Sequence, residues 1–373
     1  MLGVGMIMAV LPQRILELSG SVSGTGFLAA AFACTFVLFQ IPVGCLSDRF
    51  GPKLFLGAGY LACAVSGILY YMSGTTCGYL LGRMLQGIGE IPVWSIAPAM
   101  LSLHRPLTKG KYIGIYNAAL HTGLTMGSLS GILVRQAWGE DAIFLVFAAL
   151  SALSAVLTLI FIPDTRKRIH AQPRGTGWTT AAFLPGVFVI CSSICCYGAG
   201  YGIFISVIPA FLMDAKGAEP GLTGLFFTQF YLGIGLAQLL AGPLSDRYGR
   251  KGTVVLGLAA AGIGLGFFSR AGHPWLFPLL FLAASGLGTF CVSALALLND
   301  QVPSTLNSTI NAAFYFFWGI GYSAGPLCLG SIGNQQGWDV GFSLTGGLFA
   351  LQAVACLILL GLKTREKDIR TES

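Results

Sequence analysis

The sequence predicts an all-α membrane protein built from two related bundles of six helices, and three observations carry this prediction. Charged residues are 9% of the 373 residues and hydrophobic residues 55%, whereas soluble domains carry about 25% charged residues. Apolar segments close to 20 residues long recur along the chain, and a helix of that length crosses ~30 Å of hydrocarbon. Finally, the decapeptide GCLSDRFGPK at 44–53 returns 198 residues later as GPLSDRYGRK at 242–251.

Eleven apolar segments are predicted to be membrane-spanning helices, with boundaries accurate to a few residues. They are residues 25–44, 54–73, 77–102, 112–134, 142–162, 183–212, 222–242, 253–269, 275–298, 306–330 and 341–362. Residues 1–12 suggest a twelfth helix, but at ~1.5 Å per residue they reach only about 18 Å. We interpret them as part of a clipped first helix. No basic leader or small-residue cleavage site indicates a signal peptide.

The longest polar connection divides the chain in two. We predict an N-terminal six-helix bundle at 1–162, a cytoplasmic linker at 163–178 and a C-terminal six-helix bundle at 179–373. The two bundles would be related by a pseudo-twofold axis along the membrane normal. We expect the charged tail from Lys363 to be mobile.

The distribution of positive charge predicts the orientation. If the two decapeptides face the cytoplasm, sixteen Lys and Arg residues lie on that side and four on the other. Cytoplasmic loops of membrane proteins carry such an excess. We therefore predict a multi-pass protein of the bacterial cytoplasmic (inner) membrane with a cytoplasmic C-terminus. The clusters are short and separated, so we expect contacts with membrane lipids and none with nucleic acid.

The sequence offers no signature of an enzyme, a metal site or a disulfide framework. Most of the ten cysteines lie inside apolar segments, and neither Cys-x-x-Cys nor His-Glu-x-x-His occurs. Both patterns would be expected of the common metal and redox sites. We expect no cofactor, and we expect the protein to act as a monomer.

Further repeated features accompany the decapeptides. Asn117 and Asn311 each begin an Asn-Ala-Ala triplet 14 residues before a glycine, in the fifth span of each half. The decapeptides resemble the most specific signature of the major facilitator superfamily, Gly-x-Leu-x-Asp-Arg-x-Gly-x-Lys between helices 2 and 3. The segment 83–89, RMLQGIG, is similar to a helix 4 motif of that family.

A third motif resembles that of the drug:proton antiporter branch. The glycines of 123–131 match its helix 5 pattern, although Ser128 stands where the family has proline and Ile132 where it has glycine. Gly325-Pro326 in helix 11 is similar to the corresponding feature of the second half.

The resemblance implies a latch on the cytoplasmic side. Asp48 would approach the positive N-terminus of helix 11, and Asp246 that of helix 5. Glycines would allow the tight turns, and the basic residues would bind lipid phosphates. The alternative is that these loops only enforce topology. The predicted latch residues are Gly44, Asp48, Arg49, Gly51, Lys53, Gly242, Asp246, Arg247, Gly249, Arg250 and Lys251.

Three ionisable residues lie inside predicted spans, where a charge costs at least ~2.5–3.5 kcal/mol. Arg83 and Glu90 are two helical turns apart on one face of helix 4, and His121 is in helix 5. We hypothesise that Glu90 carries a coupling proton, with Arg83 tuning it and His121 assisting. The resemblance implies that helix 4 lines a central cavity. The alternative is a static pair that holds helices 4 and 5 together.

Several polar and aromatic side chains are weaker candidates for lining a substrate cavity. The glycines around Tyr197 and Tyr201 suggest a bend in helix 7 that exposes backbone to such a cavity. The candidates are Gln40, Trp94, Tyr116, Asn117, Tyr197, Tyr201, Gln229, Tyr231, Asn311, Tyr315 and Trp318.

The function that these features favour is secondary active transport of a small molecule by alternating access, with proton-coupled efflux of a drug or metabolite as the first choice. Proton-coupled uptake is the main alternative, and a transporter-like sensor that does not transport is a third. Only Arg83 offers a fixed positive charge inside the spans, so we expect the cargo to be neither a sugar phosphate nor a dicarboxylate.

Overall fold

A computed structural model describes residues 1–19, 22–163, 185–214, 220–272 and 274–371 of the chain. This part of the chain is helical almost throughout and forms twelve helices. The fourth is interrupted by one π-helical turn, and the ninth ends in a 3-10 turn. The helices are α1 Leu2–Ser19, α2 Val22–Phe50, α3 Pro52–Met72, α4 Thr76–Ile91 continuing through Pro92–Ile96 and Ala97–His104, α5 Lys109–Trp138, α6 Glu140–Phe161, α7 Pro185–Asp214, α8 Pro220–Tyr248, α9 Arg250–Phe267 followed by Phe268–Arg270, α10 Leu276–Gln301, α11 Asn307–Gln336 and α12 Trp338–Thr371.

Among the described residues, seven helices contain a stretch long and apolar enough to cross a membrane. They are α2, α3, α6, α7, α9, α10 and α12. All seven are among the predicted spans. The other four predicted spans correspond to α4, α5, α8 and α11, which carry many of the polar side chains of the candidate site.

Single glycines make the sharpest turns between helices. Gly51 and Gly249 adopt φ of 94° and 97°, a left-handed conformation that glycine adopts at no steric cost. Gly139 and Gly337 do the same between α5 and α6 and between α11 and α12. The predicted spans end at 44 and begin again at 54, and the charged loop that they leave at 45–53 is wrong in its extent. α2 continues to Phe50, and only Gly51 separates it from α3.

The helices at the two ends of the chain also differ from the predictions. α1 extends from Leu2 through position 12 to Ser19, so it spans 18 residues, about 27 Å, and not only the apolar stretch before Pro12. α12 continues to Thr371, beyond the predicted span end at 362, and the mobility of the tail from Lys363 stays a prediction.

The described chain separates into two compact units. The first takes residues within Met1–Leu101, Ala119–Arg174 and Pro303–Phe316, and the second those within Ser102–Ala118, Gly175–Val302 and Phe317–Ser373. Each unit thus holds most of one sequence half together with the first turns of a helix from the other half, either α11 or α5. Of the predicted linker at 163–178, all but Pro163 lies outside the described residues.

Aromatic packing forms much of the core of each unit. In the first unit, Tyr70 of α3 stacks on Tyr79 of α4 with ring centroids 5.9 Å apart. In the second unit, Phe204 stacks on Phe230 at 4.6 Å, and Phe268 meets Phe342 edge-to-face at 4.5 Å. These side chains are almost completely buried, so they fix the helices that carry the polar residues described below.

The glycines of α7 pack this helix against its neighbours. The helix is continuous over Pro185–Asp214. A Cβ at Gly198 would collide with the backbone oxygen of Trp318, and one at Gly202 with that of Tyr322. The predicted exposure of α7 backbone to a cavity is therefore wrong, because the glycines here allow α7 and α11 to approach closely.

Candidate functional site

In the first unit, the carboxylate of Asp48 binds the N-terminus of α11. The backbone N–H groups of Ser308 and Thr309 donate to its two oxygens at 3.0 and 2.7 Å, and the Thr309 hydroxyl donates at 2.6 Å. The first N–H groups of a helix have no partner inside the helix, and its dipole favours a negative charge there. Asp48, near the C-terminal end of α2, thus provides hydrogen-bond acceptors for the N–H groups at the start of α11.

In the second unit, Asp246 makes the equivalent contact with α5. The N–H groups of Gly110 and Lys111 donate to its two oxygens at 3.0 and 2.8 Å. In both units the two donors are the second and third residues of the helix that begins there. The decapeptide repeat is therefore a repeat of one interaction, in which a carboxylate at the end of one helix caps another helix.

A glycine one turn before each aspartate permits this approach. A Cβ at Gly44 would lie 2.6 Å from the Cβ of Ala312 and 2.9 Å from the backbone oxygen of Ser308. A Cβ at Gly242 would collide with the backbone oxygen of Gly110. Real Cβ atoms do not tolerate such distances, so each aspartate can reach its helix only because glycine precedes it.

The two capping contacts differ in charge. Arg250 contacts Asp246 at 3.2 Å and also pairs with Asp300, which in turn binds Lys109 at 2.5 Å. The first decapeptide has Pro52 at the position of Arg250, and among the described residues Asp48 has hydroxyl and amide partners but no ion pair. Sequence reasoning did not find Asp300 and Lys109, because they lie far from the motif in the chain.

The remaining basic residues of the decapeptides lie toward the surface of their units. Arg49 is exposed and lies over the ring of Phe50 at 5.2 Å, and Arg247 lies over Tyr248 at 5.3 Å in the same way. Lys53 and Lys251 are half-buried.

A chain of hydrogen bonds follows one face of α4. The Arg83 guanidinium donates to the Gln86 side-chain oxygen at 3.0 Å, and the Gln86 amide nitrogen donates to Glu90 at 2.7 Å. The indole N–H of Trp94 donates to the second Glu90 oxygen at 3.2 Å. Tyr70 of α3 also donates to Gln86, at 2.7 Å. Glu90 is 4% exposed, so its carboxylate sits inside the unit with neutral donors on both oxygens.

The backbone changes its winding directly after Glu90. Residues Pro92–Ile96 form a π-helical turn in which the Ala97 N–H reaches the carbonyl of Pro92. Proline lacks an N–H group and its ring crowds the preceding turn, which accounts for the local change in winding. Such π turns are frequent at functional sites. This one contains Trp94 and immediately follows the buried carboxylate.

Trp94 connects α4 to two further helices. Its ring lies 6.2 Å from that of His121 in α5, edge-on, and 6.0 Å from that of Tyr315 in α11. Phe36 of α2 meets Tyr315 at 6.3 Å. His121 is buried, with 3% exposure. The structure thus brings Glu90, Trp94 and His121 together and links Arg83 to them through Gln86.

The two repeated asparagines make related contacts. Asn311 of α11 donates to the Ser95 backbone oxygen of α4 at 3.2 Å, and Asn117 of α5 approaches the Cys291 sulfur of α10 at 3.8 Å. Both are buried, and Gln40 of α2 is completely buried. Their side chains lie between packed helices in this conformation.

Four candidates of the second half lie among aromatic rings or helix backbones. Tyr201 meets Phe230 at 5.2 Å and Trp318 at 5.7 Å, and Tyr197 meets Phe290 at 5.6 Å. Tyr231 packs on Phe230 at 5.3 Å. Gln229 donates to the backbone oxygen of Phe277 at 2.5 Å.

Two members of the α4 network were not predicted as site residues. Gln86 lies in the helix 4 motif four residues before Glu90, so its position on the same face was readable from helical spacing. Tyr70 carried no such signal, because a tyrosine inside an apolar helix looks like any packing residue.

A sequence model of the Major Facilitator Superfamily matches residues 1–193 and again 190–373. The chain belongs to the Major Facilitator Superfamily and is an integral, multi-pass membrane protein with the fold of its transporters.

Relatives resemble the chain at modest identity. A tetracycline resistance protein, class G, of Vibrio anguillarum is 26% identical over 90% of this chain and 89% of its own length. The human synaptic vesicular amine transporter is 24% identical over 92% of this chain and 68% of its own length. An uncharacterized MFS-type transporter of Methanocaldococcus jannaschii is 30% identical, but the match spans only 43% of that protein.

Solved structures share the fold. The human organic anion transporter MFSD10 superposes with a TM-score of 0.75 at 18% identity, covering 95% of both chains. The E. coli fucose:proton symporter FucP superposes with a TM-score of 0.79 at 13% identity, covering 96% of this chain and 95% of its own.

Proposed function

We propose that the protein exports a small molecule, a drug or metabolite, in exchange for protons, and that Glu90 carries the exchanged proton. The observation that carries this proposal is the environment of the Glu90 carboxylate. It is buried, its two donors are the neutral Gln86 amide and Trp94 indole, and among the described residues it has no ion pair. A carboxyl held this way can gain and lose a proton without breaking a salt bridge, and a buried ionisable group in a membrane protein marks a proton or substrate path.

The surroundings of Glu90 support a role for neighbouring residues. Trp94 contacts both Glu90 and His121, so a change in the carboxyl is transmitted to α5 through one ring. Arg83 acts on Glu90 only through Gln86, which suits a tuning role. Cargo would contact side chains beside this network, among them Trp94, Asn311 and Tyr315.

The names of the relatives favour export. A membrane transporter confers resistance to a drug by lowering its concentration in the cytoplasm, and several relatives are named for tetracycline resistance. Another relative is named for amines. A cationic amine is a suitable cargo for a site whose buried charge is an acid, because the same carboxylate can hold either a proton or the amine.

The Asp48 and Asp246 contacts are proposed as the latch of the transport cycle. Each joins helices of different sequence halves, so a rocking motion of one half against the other has to break them and form them again. The remaining basic residues of the decapeptides, Arg49, Lys53, Arg247 and Lys251, would bind lipid phosphates on the cytoplasmic face.

Transport in proteoliposomes tests the proposal. Wild-type protein is reconstituted, a pH gradient is imposed, and uptake of tetracycline and of a radiolabelled aromatic amine is measured. Accumulation above that of protein-free vesicles indicates antiport when the vesicles are acidic inside, and symport when they are alkaline inside. Glu90→Gln is expected to lower the rate of gradient-driven transport at least about tenfold, which corresponds to ~1.4 kcal/mol or more of activation free energy. Exchange of cargo without a gradient should persist.

Asp339→Asn is the matched control, because it makes the same carboxyl-to-amide change at an exposed position of α12. It should transport as wild type. Undiminished gradient-driven transport by the Glu90→Gln protein would refute the role of Glu90.

A further inference from the structure

An open groove of about 600 Å³ runs between α9 and α12 in the second unit. Its walls are built from small residues, including Ala259, Gly262 and Gly266 of α9 and Gly346 and Gly347 of α12. A Cβ at Gly347 would have nothing within 4 Å, so the groove is open at this point. Val255 and Arg270 mark its ends on α9, 15 residues or about 22 Å apart.

At three groove positions the first unit carries a larger side chain than the second. The turns Gly51 and Gly249, and likewise Gly139 and Gly337, are 198 residues apart, so each groove position has a counterpart in α3 or α6 of the first unit. Leu61, Ile68 and Leu145 stand there in place of Ala259, Gly266 and Ser343. Leu61, Ile68 and Leu145 are 43–50% exposed, so the smaller residues at these three positions distinguish the second unit from the first.

The groove also carries one positive charge at one end. Arg270 lines it and is exposed, and the described residues offer it no ion pair. Its counterpart in the first unit is Met72. Arg270 lies at the end of α9 remote from the Gly249 turn, and therefore at the opposite bilayer surface from the decapeptides. Ser343, whose hydroxyl has no hydrogen-bond partner in the described structure, is also in the wall.

We propose that the α9–α12 groove binds one anionic phospholipid, with its phosphate at Arg270 and an acyl chain lying along the glycines toward Val255. α9 and α12 both contain membrane-spanning stretches, and the groove residues Ile263, Val354 and Leu357 are at least half exposed. A channel of this length exceeds one leaflet's ~15 Å of hydrocarbon, so it accommodates an acyl chain. The guanidinium supplies the headgroup preference, because basic residues at a membrane surface attract anionic lipid.

Native mass spectrometry of the detergent-purified protein tests this site. The protein is incubated with dioleoylphosphatidylglycerol or with dioleoylphosphatidylethanolamine, which have the same acyl chains. Wild-type monomers should retain one phosphatidylglycerol about fivefold more tightly than phosphatidylethanolamine, which corresponds to the ~1 kcal/mol contributed by one basic residue at a membrane surface. Arg270→Gln should abolish the preference, and Arg270→Lys should keep most of it.

Filling the groove should abolish retention of both lipids. Gly347→Leu places a side chain into open space, and Ser343→Leu, which copies Leu145, serves if the first variant does not fold. Ala149→Leu is the control, since it makes the equivalent change on α6, and it should bind lipid as wild type. Equal retention of the two lipids by wild type, or unchanged retention in Gly347→Leu, would overturn the proposal. So would a wild-type dimer that Gly347→Leu dissociates, because the groove would then receive a second copy of the chain.

Discussion

At the scale of single residues, Gln86 determines how the two charges of α4 interact. Its side chain accepts a hydrogen bond from Arg83 and donates one to Glu90. The guanidinium and the carboxylate are therefore connected through a neutral amide. A direct buried ion pair would favour a permanently charged carboxylate. At the 198-residue spacing of the repeat, α10 reads ASGLG at 284–288 where α4 has QGIGE at 86–90, so this acid is present in only one of the two halves.

Replacing Gln86 by methionine, which has a similar shape, should destabilise the protein. The change leaves one Glu90 oxygen without its donor and removes the acceptor that Arg83 and Tyr70 share, and an unsatisfied buried polar group costs about 1–3 kcal/mol. Thermal unfolding of the purified protein measures the effect as a lower midpoint. Gln335→Met is the control, because Gln335 is exposed and makes only a long contact to Ser331 at 3.5 Å. Equal midpoints for the two variants would show that the Gln86 hydrogen bonds contribute little.

How much of this network the sequence predicts depends on the separation of its members in the chain. The spacing of Arg83, Glu90 and Trp94 is local and follows from helical periodicity alone. The contacts of Trp94 with His121 and Tyr315 join three helices and depend on how those helices pack. No pattern within one helix contains that information.

At the scale of helices, the ion network beside Asp246 distinguishes the two capping contacts. Asp300 neutralises both Arg250 and Lys109, whereas Asp48 is held by amides and hydroxyls. Both contacts therefore depend on the N–H groups of a helix N-terminus, and paired charges add to the Asp246 contact.

Asp300→Asn should weaken the second contact in a way that depends on salt. The variant leaves two cations without their shared acid, and we expect a loss of about 1 kcal/mol, because Asp300 is partly exposed and solvent screens it. The difference from wild type in thermal unfolding should shrink at 1 M salt, where the Debye length is about 3 Å. Asp339→Asn, which alters an exposed acid, should change the midpoint less. A loss independent of salt would indicate that Asp300 acts through packing.

Helix number and order could be predicted from hydropathy and the repeat, whereas helix ends could not. Charged residues and glycine predict a loop at each decapeptide. In the structure, however, α2 continues to Phe50 and α8 to Tyr248, the residues directly before the turns at Gly51 and Gly249. Charged side chains of the decapeptides can be solvated or paired at the end of a helix as well as in a loop. The glycines of α7 predict a bend, but glycine allows either a bend or close packing of helices. Which of the two occurs depends on the neighbouring helix, here α11.

At the scale of the whole molecule, the even number of helices between the decapeptides has a testable consequence. Six helices, α3 to α8, separate the turn at Gly51 from that at Gly249, so both turns should face the same side of the membrane. The excess of Lys and Arg predicts that this side is the cytoplasm.

Reporter fusions in a bacterial host check this topology. Alkaline phosphatase is active only when exported, so fusions after Gly51 and Gly249 should be inactive and fusions after Gly139 and Gly337 should be active. These four glycines are the equivalent turns of the two halves. Activity after Gly51 without activity after Gly249 would contradict the parallel arrangement of the two halves.

The capping contacts also constrain the order in which the chain matures during synthesis. The amide groups at the start of α5 receive their acceptor from Asp246, which the ribosome adds 136 residues after Gly110. Asp48 is separated from its donor Ser308 by a longer stretch of chain, 260 residues. Neither half can acquire its final hydrogen bonds from its own portion of the polypeptide, so these last steps of assembly follow the synthesis of α8 and α11.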